Sequence, residues 1–143
     1  MPKAGVLYVV ATQIGNVGDI SARACATLSS VNIVLAEDTR HSSGLLKRLG
    51  IKADLHSYHQ HNEHKIVDNI IDNIINNNQK IAVVSDAGTP GISDPGFLLI
   101  NKAKSKEIPV FCLPGPTALI PAIVQSGFAS DEFYFFGFLP HKK

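Results

Sequence analysis

Three strings of apolar residues constrain the fold of this 143-residue chain more than any other feature. The strings VLYVV, NIVLA and KIAVV are apolar on nearly every successive residue rather than on alternate residues. This pattern is typical of strands that are covered on both faces, as in a parallel sheet with helices on either side. Together with three weaker runs, they predict six strands: Val6–Val10, Asn32–Ala36, Ala53–His56, Lys80–Ser85, Pro109–Leu113 and Glu132–Phe136.

Helices are predicted between these strands. The first begins near Asp19, which is a good N-cap residue. The segment 62–77 places isoleucines on one face and Asp, Asn and Lys on the other, as in a helix packed on a sheet. A later helix is expected to open at Asp94 and Pro95, because proline is favoured at the first helical position.

The last predicted helix covers residues 117–125 and ends at Gly127 in a left-handed conformation. Pro121 lies inside it and should bend it or shorten its first turn. Strands and helices therefore alternate along the chain. This order predicts right-handed crossovers and a three-layer αβα domain with an open, mostly parallel sheet.

The overall composition limits the classes of function. The length fits one domain, and a net charge of +1 with no basic run apart from Lys142 and Lys143 gives no electrostatic sign of a polyanionic partner. No apolar run could span a bilayer and no signal-peptide cleavage site is visible, so a cytoplasmic protein without a membrane partner is expected. Cys25 and Cys112 are predicted to be small buried side chains, not a disulfide.

The segments after the predicted strands are rich in glycine, proline and short polar residues. Ligands of open α/β sheets bind beyond the carboxyl ends of the strands, where glycine lets them approach the backbone. Five ordinary tight turns are the alternative interpretation, although their position on one edge favours a binding site. The five segments are ATQIGNVGD (11–19), EDTR (37–40), YHQHNEH (58–64), DAGTPGISDPG (86–96) and PGPTA (114–118).

Two common phosphate-binding motifs and one phosphatase motif are absent. Residues 11–19 contain no G-x-G-x-x-G, and G-x-x-x-x-G-K-[ST] occurs nowhere in the chain. An aspartyl phosphatase would need a second carboxylate two residues after Asp86, and that position is Gly88. The first strand therefore does not lead into a standard dinucleotide-binding loop.

Two polar clusters are candidates for chemistry. The histidines between His56 and His64 resemble a metal site, but they match no known ligand spacing, and a solvated polar loop with no metal is expected. Glu37, Asp38 and Arg40 could hold a base, orient a hydroxyl group or clamp a partner loop. A structural salt bridge that anchors the strand end is an equal alternative for this second cluster.

Six motifs, taken in order, resemble a known family. They are LYVVATQIGNVGDIS, LAEDTRHS, HNE, VSDAGTPGISDPG, LPGPTALIPAIVQSG and FYFFGFLP. They are similar to the N-terminal half of the ribosomal RNA small subunit methyltransferase I family, in the tetrapyrrole-methylase-like class of S-adenosylmethionine-dependent enzymes. One departure is Gln13, where the family usually has proline in ATPIGN. Gln13 restores a backbone donor and frees φ at this position of the loop.

The resemblance implies methyl transfer from S-adenosylmethionine to the ribose 2′-hydroxyl of a cytidine in 16S ribosomal RNA, by a homodimeric enzyme. It also implies that residues 1–138 form the N-terminal α/β domain, that 139–143 begin a linker, and that a second domain lies outside this chain. Such a half alone is expected to be inactive. Matched position by position, the cofactor-binding residues would be Ile14, Gly88, Thr89, Pro90, Gly91, Ile92, Gly115, Pro116, Thr117 and Ala118.

The implied reaction needs few protein groups beyond those that align the reactants. Asp38 is the candidate to accept the proton of the ribose hydroxyl, with Arg40 placing a phosphate or the carboxylate. Two other functions are compatible with the same motifs. One is methylation of a precorrin-type tetrapyrrole, and the other is a non-catalytic domain that binds a nucleotide or a partner protein.

Overall fold

The computed structural model describes residues 5–141. Within them, five parallel strands form one sheet in the order β3-β2-β4-β1-β5. The strands are β1 (Val6–Val9), β2 (Ile33–Ala36), β3 (Leu55–Ser57), β4 (Lys80–Val84) and β5 (Val110–Cys112). The helices are α1 (Ala22–Ser30), α2 (Thr39–Arg48), α3 (Glu63–Asn76), α4 (Phe97–Ser105) and α5 (Leu119–Ser126). The predicted open parallel α/β domain is confirmed.

Two apolar clusters hold the layers together, one on each face of the sheet. On one face, Leu7 and Val9 of β1 pack with buried residues of α3 and α4. On the other face, Val10 packs with buried residues of α1 and α2. Both β1 and β4 contribute to the two clusters. Burial on both faces explains why their sequences are apolar on successive residues.

The predicted N-cap of α1 is wrong by two residues. Asp19 lies in a short 3₁₀ turn, Val17–Asp19, and α1 begins at Ala22. Ser21 is the N-cap, because its hydroxyl oxygen accepts a hydrogen bond from the backbone N–H of Ala24 at 3.0 Å. A serine at the N-cap accepts a hydrogen bond from the N–H group three residues later, and it caps a helix as well as an aspartate does.

The predicted start of α4 is also wrong. Asp94 and Pro95 lie in the loop after β4, and the helix begins at Phe97 after Gly96. Gly96 has a φ of 135°, which a residue with a side chain rarely adopts. The sharp turn at this glycine moves the helix start two residues beyond the proline.

The remaining helix predictions agree with the structure more closely. The helix predicted over 62–77 is α3. The last helix is α5, and Gly127 follows it with a φ of 73° in the left-handed region, as predicted. Pro121 is the third residue of α5, so it lies in the first turn, where backbone N–H groups have no partner within the helix.

The sixth predicted strand does not form. Residues 132–136 carry no strand, and their aromatic side chains, such as Tyr134 at 85% exposure, lie on the surface. Aromatic residues favour strands only where a neighbour supplies hydrogen bonds and packing. The burial predicted for Cys112 is also wrong, because β5 is an edge strand and this cysteine is exposed. Cys25 is half-buried, and both thiols are free.

In the part of the chain that the structure describes, no helix is both long and apolar enough to cross a membrane. The last two residues of the predicted linker, Lys142 and Lys143, lie outside the described residues.

Candidate functional site

The loops that follow β1 and β4 are joined by hydrogen bonds at the carboxyl edge of the sheet. The backbone N–H of Thr12 donates to the carbonyl of Gly88 at 3.0 Å, and the N–H of Gly88 donates back to Thr12 at 3.2 Å. The Thr12 hydroxyl also donates to the carbonyl of Ser85 at 3.2 Å. These neighbouring strands lead to α1 and α4, which lie on opposite faces of the sheet. In open α/β sheets, such a divergence of the chain produces a ligand-binding crevice.

The loop after β5 closes against the same pair. The Thr89 hydroxyl donates to the carbonyl of Pro116 at 3.1 Å. A Cβ atom placed on Gly88 would lie 3.4 Å from Ile14 Cδ1 and 3.6 Å from the Pro116 carbonyl oxygen. Gly88 also has a φ of 76°, so both conformation and space favour glycine. The three loops therefore meet at this point.

Gly115 fixes how closely the first and last of these loops approach. A Cβ atom on Gly115 would lie only 2.7 Å from the Cβ atom of Ala11. Ala11 is buried and lies two residues after the end of β1. The close approach of two backbones is thus possible only because residue 115 has no side chain.

Two cavities open around the meeting loops, with volumes of about 660 and 390 Å³. Both volumes are in the range of small-molecule sites. The larger cavity is lined mainly by Ile14, Gly115, Pro116, Thr117, Ala118 and Ala122. The smaller cavity is lined mainly by Gly88, Thr89, Ile92, Asp94, Thr117 and Phe135. A further cavity of about 420 Å³ lies near the start of β3. It is therefore on the edge of the sheet opposite to the two cavities described above.

Most of the predicted cofactor-binding residues thus line one of the two cavities. Pro90 and Gly91 line neither of them. Pro90 is buried, and a Cβ atom on Gly91 would lie 3.3 Å from Ile100 Cδ1 of α4. These two residues therefore support the loop on the side that faces the protein interior and α4.

An acidic group lies beside the loops. Burial raises the pKa of Glu37, and the nearby Asp86 and Asp94 raise it further, while His59 opposes the shift. Burial likewise raises the pKa of Asp94, opposed by the Ser85 hydroxyl and reinforced by Asp86. Asp86 Oδ1 is buried and accepts no hydrogen bond from the described residues.

The convergence of these three carboxylates was not predicted from the sequence. The sequence predicts a helix cap at Asp94 and groups Glu37 only with Asp38 and Arg40. The pairing of β2 with β4 sets Ala36 opposite Val84, so Glu37 lies near the residues that follow β4. A correct strand order would have revealed the cluster.

Asp38 is the N-cap of α2. Its Oδ1 atom accepts hydrogen bonds from the backbone N–H groups of Arg40, at 2.9 Å, and His41, at 3.4 Å. These two bonds lower the pKa of Asp38. The Arg40 Nε atom lies 3.6 Å from the same oxygen, and the Arg40 side chain is 92% exposed. An exposed ion pair between Asp38 and Arg40 is therefore present, and a catalytic role for either residue stays a prediction.

The histidine segment forms local hydrogen bonds. His56 Nε2 lies 3.0 Å from Asp54 Oδ2, and His59 Nδ1 accepts from the backbone N–H of His61 at 3.2 Å. Asn62 also donates to the carbonyl of Ser57. Among residues 5–141, no group of three or more His, Cys, Asp or Glu side chains is arranged to hold a metal ion.

Comparison with known proteins identifies the family. The family model of the tetrapyrrole (corrin/porphyrin) methylases matches residues 6–136. The chain belongs to this family. Within it, the ribosomal RNA small subunit methyltransferase I of Xylella fastidiosa is 49% identical over 99% of this chain. The proteins of the same name from Synechocystis and Escherichia coli O157:H7 are 49% and 46% identical over 96% of the chain.

The chain spans about half the length of those relatives, covering 52%, 49% and 48% of them respectively. A solved structure, the uroporphyrin-III-C-methyltransferase from Thermus thermophilus, matches 85% of the chain with a TM-score of 0.65. That structure is 20% identical and the chain covers 53% of it, so this likeness concerns the fold alone.

Proposed function

We propose that this chain forms the cofactor-binding part of an S-adenosylmethionine-dependent methyltransferase that acts on the ribose 2′-hydroxyl of a cytidine in 16S ribosomal RNA. The observation that carries the proposal is the joining of three loops around two cavities in a chain of this family. The names of the relatives supply the RNA substrate class.

The residues around the cavities fit S-adenosylmethionine. Gly115 leaves bare backbone beside the larger cavity, where the polar groups of a nucleoside and an amino acid could bind. Asp86, which precedes Ala87 of the smaller cavity, has a buried Oδ1 atom with no donor among the described residues, and the cofactor has hydroxyl and ammonium donors. Ile14, Pro116 and Ala122 supply apolar surface for an adenine ring. When bound, the cofactor supplies an activated methyl group on a positively charged sulfur.

Two carboxylates are candidates to accept the proton of the ribose hydroxyl. The sequence prediction is Asp38, which is ionised at neutral pH but is already engaged as a helix cap. The structure adds Glu37, whose raised pKa makes it the stronger base of the two. Arg40 lies beside Asp38 and would hold a phosphate or the carboxylate.

The second half of the relatives, or a second copy of the chain, would cover surfaces that are exposed here. No residue of α5 is buried, although its side chains are mostly apolar. Phe128 and Phe138 are 83% and 80% exposed. These surfaces support the proposals of a two-domain enzyme and of a homodimer. The RNA substrate class supports a cytoplasmic location.

Calorimetric titration of the whole gene product with S-adenosylmethionine tests the cofactor proposal, with NADH as a control ligand. Binding of S-adenosylmethionine alone is expected. A methyl-transfer assay on small ribosomal subunits, with a precorrin-type macrocycle in parallel, tests the substrate. Transfer to the macrocycle instead of RNA would refute the RNA assignment while retaining the cofactor.

A further inference from the structure

A smaller cavity, of about 260 Å³, lies beside α2 on the cofactor edge of the sheet. It neighbours the larger cofactor cavity, because Gln13 lines the first and Ile14 lines the second. Its lining is basic and polar, unlike that of the cofactor cavities. The lining residues are Gln13, Arg40, His41, Gly44, Leu45 and Arg48.

Arg40, Gly44 and Arg48 form a stripe along α2, here named the α2 stripe. They are spaced by four residues, so they follow one another on one face of the helix. Eight residues of helix rise by about 12 Å, which matches a few nucleotides at about 3.4 Å each. Both arginines are exposed, and Arg48 makes no salt bridge within residues 5–141.

Neither a close contact nor the backbone conformation requires glycine at position 44. It lies inside a regular helix, where glycine is the least favourable residue after proline. A Cβ atom on it would meet nothing within 4 Å, and its φ does not require glycine. Glycine here is unfavourable for the isolated fold, but it leaves room for a ligand to approach the helix backbone between two arginines.

Gln13 supplies a second sign of a ligand. Its side-chain oxygen is buried and has no hydrogen-bond partner among the described residues. An amide oxygen accepts hydrogen bonds, and RNA carries a donor on every ribose, the 2′-hydroxyl. The loop of Gln13 is held to the cofactor loops through Thr12 and Gly88.

We infer that the α2 stripe, with Gln13, is a docking site for the sugar–phosphate backbone of RNA. The two arginines bind phosphates, the backbone passes over Gly44, and Gln13 meets a ribose beside the cofactor cavity. This inference rests on the proposed function and identifies where the substrate strand lies. It also explains how a chain of net charge +1 binds a polyanion, because the basic groups are concentrated on one helix face.

A matched pair of charge-removing variants tests the inference in the whole gene product. Arg48→Gln removes a cation of the α2 stripe, whereas Lys47→Gln removes a cation from the adjacent position of the same helix end. Lys47 lines the separate cavity near β3. The measurement is the affinity for a short labelled single-stranded RNA over a range of salt concentrations.

Arg48→Gln is expected to weaken RNA binding by about five- to tenfold at low salt and to reduce the slope of log affinity against log salt by about 0.7. Lys47→Gln should change neither quantity appreciably. Affinity for S-adenosylmethionine and the melting temperature should stay at the wild-type values in both variants. Equal effects of the two variants on RNA binding would overturn the inference.

Substitutions at Gly44 provide an independent test, in which the melting temperature and the RNA affinity are expected to change in opposite directions. Gly44→Gln should raise the melting temperature, because glutamine favours a helix, yet it should weaken RNA binding by obstructing the α2 stripe. Gly44→Ala should raise the melting temperature and largely retain RNA binding. A Gly44→Gln protein that binds RNA like the wild type would contradict the close approach of a strand.

Two further outcomes separate this inference from the proposed function. If wild-type protein transfers methyl groups to small-subunit RNA but Arg48→Gln leaves RNA affinity and salt slope unchanged, only the docking site is wrong. If wild-type protein transfers none, the proposed function fails first. If Arg48→Gln changes the oligomeric state on sedimentation but leaves the RNA affinity unchanged, the α2 stripe is a protein interface and the inference is overturned.

Discussion

Replacing Gly115 with alanine should weaken cofactor binding without unfolding the protein. The added Cβ atom would lie 2.7 Å from the Cβ atom of Ala11. Carbon atoms pack best at about 3.5–4.0 Å, so the loop after β5 must move by about 1 Å. Overpacking of this kind typically costs about 1–3 kcal/mol. Because the moved loop lines the larger cavity, we expect the Kd for S-adenosylmethionine to rise about tenfold, which corresponds to about 1.4 kcal/mol.

A second alanine variant separates loss of the site from loss of stability. Gly127 has a φ of 73°, and a Cβ atom on it would meet nothing within 4 Å. Gly127→Ala should cost about 1–2 kcal/mol through backbone strain alone. It lines neither cofactor cavity. Calorimetric titration and thermal melting of both variants are the assays. The reasoning is refuted if Gly115→Ala binds the cofactor as tightly as Gly127→Ala does.

Other expectations concern the acidic group and a helix cap. Glu37→Gln should reduce turnover more than Asp38→Asn, because Asp38 acts here as a helix cap and asparagine still caps α2. Single-turnover rates, measured for variants with equal cofactor affinity, decide between the two candidate bases. A larger loss with Asp38→Asn would support the sequence prediction. The raised pKa of Glu37 means that the folded state binds its proton more tightly, so stability is lost as pH rises from the ordinary carboxyl pKa through the raised value. Glu37→Gln should therefore have a higher melting temperature than wild type at pH 7 and an equal one below about pH 4; a difference that does not vary with pH would contradict this. Ser21→Ala should lower the free energy of unfolding by about 1 kcal/mol, whereas Asp19→Ala should leave it nearly unchanged, as measured by urea denaturation.

The fold was predictable because its central strands are buried on both faces. The runs at β1, β2 and β4 are apolar on successive residues, and this pattern depends on burial rather than on fine geometry. The aromatic segment 132–136 has the same local character but no neighbouring strand within the described residues. Local propensity therefore could not distinguish a strand from an exposed extended segment.

Helix starts were less predictable, because several polar residues competed for each cap. Asp19 and Ser21 both suit an N-cap, and only the backbone conformation places Ser21 there. Asp94 precedes a proline, yet the φ of Gly96 sets the start of α4. In both places the N-cap is a residue that comes later in the chain than the predicted one. It could be identified only from the backbone conformation of the loop.

The candidate site was predictable as a set of loops but not as a set of contacts. The glycine-rich loops stand out in the sequence, and the resemblance placed the cofactor there. The cluster of Glu37, Asp86 and Asp94 depends on the strand order, because β2 and β4 are separated by β3 along the chain. The significance of Gly44 depends on empty space around it, which no sequence pattern encodes.

The most direct test of the central claim is the position of a transferred methyl group. The whole gene product is incubated with methyl-labelled S-adenosylmethionine and small ribosomal subunits that lack the modification, and the RNA is then hydrolysed with alkali. Alkaline cleavage requires a free 2′-hydroxyl next to the phosphate, so methylation there leaves an intact dinucleotide. We expect the label in an alkali-resistant dinucleotide that contains cytidine. Label in single nucleotides, or none in the RNA, would contradict the account.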